Sequence, residues 1–203
     1  MRKFLTVLLV LALILCIGAA SAQKSATCVA TDIDPENPAM QTVYVRFLSY
    51  NEADNTVTVE LLTPEIFDKK EIEALEAGDT IFTGGKEVTI TSVESDYGSV
   101  DFNMEGEAIS LCETHDGNYI RLDDNYDYVL LTFATVELEI PETLLFLDDE
   151  DPQASGLPSA HDVNAFLEAL KGENGPTLDR NNAIAVFDAD GKLAVVKRFY
   201  VPW

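Results

Sequence analysis

Positive charge is scarce in this 203-residue chain: 13 lysines and arginines face 36 aspartates and glutamates, a formal net charge of −23. A surface of that sign repels phosphate backbones and anionic lipid, so neither nucleic acid nor a membrane surface is an expected partner. Histidine occurs twice, cysteine three times and tryptophan once. Gly-x-Ser-x-Gly is absent, so no nucleophile elbow is present. Gly84-Gly85 falls between two strand-like runs, which makes it a hairpin turn and not a phosphate cradle. Asn-x-Ser/Thr acceptors are also missing, and no stretch after the first residues is apolar enough to span a bilayer.

The start of the chain differs. Arg2 and Lys3 precede an apolar run from Phe4 to Ile17, and Ala20-Ser21-Ala22 supplies small residues. This three-part pattern predicts a signal peptide over 1–22, cleaved after Ala22. A retained membrane anchor is the first alternative, and lipid attachment the second. Leu13-Ile14-Leu15-Cys16 resembles a bacterial lipobox, although Leu15 stands where a small residue belongs. Cleavage would remove two cations and take the net charge to −25. The expected location is secreted or cell-surface, without membrane insertion after cleavage. The general cast is similar to that of exported proteins of Gram-positive bacteria, a resemblance that implies no activity.

Two cysteines remain after the leader, Cys28 and Cys112. In an oxidising compartment an even pair predicts a structural disulfide, worth about 4 kcal/mol for a loop of this length. Cys112 and His115 form a Cys-x-x-His, half of a zinc site, but no second ligand pair accompanies it. No metal or cofactor is expected. His161 is expected in the first turn of a helix. The acidic clusters Asp123-Asp124-Asp127 and Asp148-Asp149-Glu150-Asp151 read as solvated loop faces.

Alternating β-branched runs dominate the chain beyond the leader. A polar arm is predicted over 23–40 and a single β-rich domain over 41–203. "TVYVRFLSY" and "TVTVELL" flank "NEADN" as a hairpin, and "GDTIF" and "KEVTITSVE" flank "GG" as another. Short strands are expected at "SVDFNME", "AISLCET" and "NYIRL", a long one at "YVLLTFATVELEI", and another at "LLFL". Thr63-Pro64-Glu65 reads as a helix start, running to Gly78. Leu75 to Ile81 resembles the opening turn of many small β-barrels, a likeness over seven residues that supports a fold and names no family.

Loop 148–158 precedes a C-terminal helix–hairpin unit. Ser159-x-x-Asp162 is a capping pattern, and Val163, Phe166, Leu167 and Leu170 form an apolar stripe ending at Gly172. In "FDADGKL", a calcium loop would place Val186 and Lys197 at anionic ligand positions, so a hairpin turn is expected instead, with Gly191 at positive φ. The predicted pairs are Asp188 with Lys192, Phe187 with Leu193 and Ala185 with Val195.

The fold class expected is therefore α+β, predominantly antiparallel β, a small barrel or sandwich with one or two helices. With no catalytic constellation in view, the expected role is a non-catalytic extracytoplasmic binding or structural protein, its partner an unknown protein or cell-envelope glycan. A secreted carboxylate-dependent hydrolase and a calcium-stabilised surface protein are the alternatives. A cleft of paired acids would favour the hydrolase, and an exposed aromatic patch would favour binding.

Overall fold

The computed structural model describes residues 23–29, 31, 33–36, 38–149, 157–172, 178 and 182–199. The expected leader, Glu150 and Asp151 lie outside them. In chain order the elements are β1 (Ser25–Thr27), β2 (Thr42–Asn51), β3 (Thr56–Pro64), β4 (Ile66–Phe67), α1 (Lys69–Glu73), β5 (Thr80–Thr83), β6 (Lys86–Thr89), β7 (Val93–Asp96), β8 (Ser99–Phe102), β9 (Ile109–Glu113), β10 (Tyr119–Leu122), β11 (Leu130–Glu139), β12 (Leu145–Asp148), β13 (Ser159–His161), α2 (Val163–Leu170), β14 (Ala183–Phe187) and β15 (Leu193–Arg198). The chain is α+β and predominantly antiparallel, and none of its three sheets closes into a barrel. It divides after Cys28, Ile66 and Tyr119 into two compact units, where the sequence suggests an arm and one domain.

The first unit holds the sheet β1-β5-β6 and the meander β7-β8-β9. Ser25–Thr27, expected in the arm, pairs in parallel with Thr80–Phe82. Its core is Phe67, Ile72, Leu75, Ile81, Ile90, Val100, Phe102, Ile109 and Leu111, with Ala26 beneath. The barrel-like opening turn is built as the sequence suggests. Gly78 takes φ +102°, and the Asp79 carboxylate accepts from the backbone N–H of Lys24 at 2.8 Å and of Glu76 at 2.9 Å. Those two N–H groups hold its carboxyl below the usual carboxylate pKa.

The helix expected from Thr63 is cut down to α1. Thr63 and Pro64 finish β3, opposite Leu131 and Leu130. Glu65 is drawn inward: its backbone bonds Val129 and Arg121, and its buried carboxylate accepts from Arg121 Nη1 at 3.1 Å. Strand pairing and a partner 56 residues away outweigh a local helix signal. The helix starts instead where Asp68 caps it, accepting from Lys70 N–H at 2.8 Å and Glu71 N–H at 3.2 Å.

The second unit is built on a seven-stranded sheet in the order β11-β3-β2-β14-β15-β12-β13. Val43, Val45 and Phe47 on β2, Val57, Val59 and Leu61 on β3, and Ala183, Ala185 and Phe187 on β14 all point to one face. Helix α2 lies on that face. Its Phe166 packs edge-on against Phe47 at 5.3 Å and against Phe146 at 5.7 Å. The cap is Asp162, not Ser159: its Oδ1 accepts from Asn164 N–H at 3.0 Å and Ala165 N–H at 3.3 Å. Ser159 and His161 have been taken up by β13, pairing with Asp148 and Phe146.

Three hairpins close with one turn chemistry. Each opens on an oxygen-bearing side chain, Thr114, Asp123 or Asp188, that accepts the N–H four residues on, at 3.2, 3.0 and 2.9 Å. Each has positive φ one residue earlier, at Gly117, Tyr126 and Gly191. The "DADG" stretch is thus a turn, its Asp188 Oδ1 occupied by the N–H groups of Asp190 and Lys192. Phe187 faces Leu193 as expected. A bulge between Val186 and Phe187 moves the next pairs, so that Ala185 faces Val196 rather than Val195.

Two outcomes test these turns. Gly191→Ala is expected to cost about 1 kcal/mol in urea denaturation, while Tyr126→Gly, relieving a side chain at φ +65°, should gain about 0.5–1 kcal/mol. Opposite signs are required; a loss at both would refute the shared geometry. Asp79 sets an acid limb. Its folded pKa is lowered, so its contribution is complete above the unfolded carboxylate range, near pH 4, and fades as pH falls through the folded value. The melting-temperature gap between wild type and Asp79→Asn should therefore be full at pH 7 and smaller at pH 3, shrinking further as pH falls.

Candidate functional site

The residues singled out by sequence do not assemble. Cys28 bridges Phe67 of β4, and β10 lies between β4 and β9. A disulfide needs Cα atoms within about 7 Å, and none joins Cys28 and Cys112 here. His115 is exposed in the Thr114–Asn118 turn. His161 ends β13, with its ring 6.3 Å from that of Phe146, rather than sitting in the helix. Among the described residues, no three His, Cys, Asp or Glu side chains converge as a metal site.

Asp123, Asp124 and Asp127 are exposed, as read, but Asp123 is turned onto the backbone of its own turn. Asp148 and Asp149 are not a solvated face. Strand β12 runs parallel to β15, which sets Asp148 beside Arg198. Arg198 Nε donates to Asp148 Oδ1 at 2.8 Å and Nη2 to Oδ2 at 2.6 Å, with both side chains only 11% exposed. Lys197 pairs with Asp149 at 3.3 Å and lies 4.6 Å from the ring centroid of Phe199. The acidic run and the basic pair, 50 positions apart, meet only because the strands are neighbours.

What the structure does assemble is a sheet face. The residues that alternate with the core residues are Tyr44 and Arg46 on β2, Ile184 and Val186 on β14, Val195 and Lys197 on β15, and Leu145 and Leu147 on β12. The register rows align them: Leu62–Tyr44–Ile184–Lys197–Leu147 in one, Val186–Val195–Leu145 in the next. All but Leu62 keep part of their surface in solvent, and Leu145 keeps 40%. The Tyr44 phenol titrates above its ordinary value, first through burial and then through the neighbouring Tyr128. Tyr128 is itself 49% exposed, so an aromatic ring stands at the margin of the band.

Such a face has the chemistry of a contact surface. Tyr and aliphatic side chains supply contact area, and Arg46 and Lys197 supply donors, each already facing a carboxylate: Glu60 at 3.0 Å and Asp149 at 3.3 Å. The sequence carried a weak signal for it. "AIAVF" and "KLAVV" are apolar in nearly unbroken runs rather than at alternate positions, which marks strands with two apolar faces. No protein family, curated protein or solved structure matches this chain.

The Asp148–Arg198 pair yields a sharp expectation. Asp148→Ala leaves a largely buried guanidinium beside Phe146 and should cost about 3 kcal/mol in urea denaturation. The double variant Asp148→Leu with Arg198→Met should recover most of that loss. A single variant as stable as wild type would show that the pair is not desolvated.

Proposed function

We propose that the protein is exported and acts without catalysis, as an extracytoplasmic binding module whose contact surface is the open face of the seven-stranded sheet. One observation carries this reading. The core face is covered by α2, while on the opposite face Tyr44, Ile184, Val186, Val195 and Leu147 are partly exposed and Leu145 is exposed, with Tyr128 beside Tyr44. Contiguous partly exposed apolar and aromatic surface is what a docking site requires. The partner is a cell-envelope protein or glycan. The net charge of −23 argues against nucleic acid. Export rests on the signal-peptide pattern of 1–22. The hydrolase alternative gains nothing from Asp148 and Asp149, whose carboxylates are engaged by Arg198 and Lys197.

Expression of the full chain with its own leader, followed by N-terminal sequencing of exported material, should give a start at Gln23. Retained leader or modified Cys16 would overturn that half. For the binding half, immobilised cell-envelope fractions should retain wild type and release Ile184→Asp with Val195→Asp, provided the variant melts cooperatively. Equal retention of both would overturn the face as the contact surface.

A further inference from the structure

The two ends of the seven-stranded sheet differ. β13 ends it with three residues, whereas β11 ends it with ten, paired on one side to β3 alone. After the bulge at Thr132/Ala134 the β11 ladder is regular to Glu139. The direction of its backbone follows from one bond. Ile140 N–H donates to Asn55 O at 3.0 Å, so Ile140 faces the β3 side. Antiparallel alternation then turns Leu138, Val136 and Ala134 toward β3. Thr135, Glu137 and Glu139 present their N–H and C=O groups to the open edge. Among the described residues no backbone group answers them.

The side chains specify what would pair there. Ala134, Val136 and Leu138 lie on the core side, packed against the core yet half-buried, because the sheet stops beside them. Thr135, Glu137 and Glu139 are exposed on the other side. Among the described residues Glu137 and Glu139 have no cationic partner, while nine other carboxylate–cation pairings engage eight lysines and arginines. We infer that β11 is a strand-addition site for an extended basic peptide segment that alternates apolar residues with lysine or arginine. Its main chain completes the ladder at Thr135, Glu137 and Glu139. Its apolar residues extend the core beside Val136 and Leu138, and its cations lie opposite the two glutamates. A second copy of this chain would bring Glu137 and Glu139 and a further −23 to the same edge, which disfavours self-pairing. The site is separate from the open sheet face and does not depend on it.

The probe is a fluorescein-labelled, N-acetylated eight-residue peptide alternating lysine with valine, followed by fluorescence anisotropy at low salt. Binding is expected, and a peptide of the same composition with lysines and valines in two blocks should bind at least about tenfold more weakly, since it cannot present two faces. Glu137→Pro removes one outward N–H and no bond to β3, and should abolish binding. Glu137→Gln with Glu139→Gln should weaken it and flatten its salt dependence. Amide exchange on the wild-type protein gives a readout free of folding effects: the peptide should protect Thr135, Glu137 and Glu139. Equal binding of the block peptide, or protection elsewhere with these amides unchanged, would overturn the inference. So would a wild-type dimer in sedimentation that Glu137→Pro converts to monomer, which would assign the edge to a second copy.

Discussion

Register is the constraint on which the seven-stranded sheet rests. Side chains alternate with a period of two, so a slip of one residue would turn Phe47, Phe187 and Phe146 from beneath α2 to the open face. Hairpins set the register between β2 and β3 and between β14 and β15 through their turns. The parallel pair β12–β15 has no such turn, because β13, α2 and β14 intervene in the chain. There the bidentate Asp148–Arg198 contact takes over. Its geometry admits one alignment, and burial against Phe146 makes any other leave a charge unpaired.

The same interaction explains where the sequence could and could not be read. Hairpin strands are local: "TVYVRF" and "TVTVEL" alternate over a few residues and their turns carry their own chemistry, so β2, β3, β14 and β15 were legible, and Gly191 could be assigned its backbone. Elements held by distant partners were not. Thr63-Pro64-Glu65 has every local mark of a helix start, and only Arg121 and the strand β11 make it extended. Ser159 and His161 look like a helix's first residues until β12 pairs with them. β1 is three residues without alternation, and its parallel partner lies 55 positions on. The open sheet face was hidden for the same reason: unbroken apolar runs show that two faces are apolar without saying which one a helix covers.

Charge distribution follows from how few cations there are. Among the described residues, eight lysines and arginines lie within 3.9 Å of a carboxylate. The buried ones, Arg121 and Arg198, fix strand positions, and exposed pairs such as Lys86 with Glu107 add little. Acids outnumber cations 36 to 13, so the excess leaves an unbalanced negative field. That field opposes association of copies through like charge, which offsets the pull of a sheet with apolar residues on both faces.

An acidic field also decides what an unfinished edge can recruit. Proteins commonly blunt edge strands with charge, and Glu137 and Glu139 do this against copies of the same chain. Against a basic strand the same two carboxylates work in reverse. They attract it at long range and sit opposite its cations once the ladder forms, while half-buried Val136 and Leu138 gain cover on the core side. Protection from self-association and selection of a basic partner are then one device, since both depend on the sign of the charge that approaches β11.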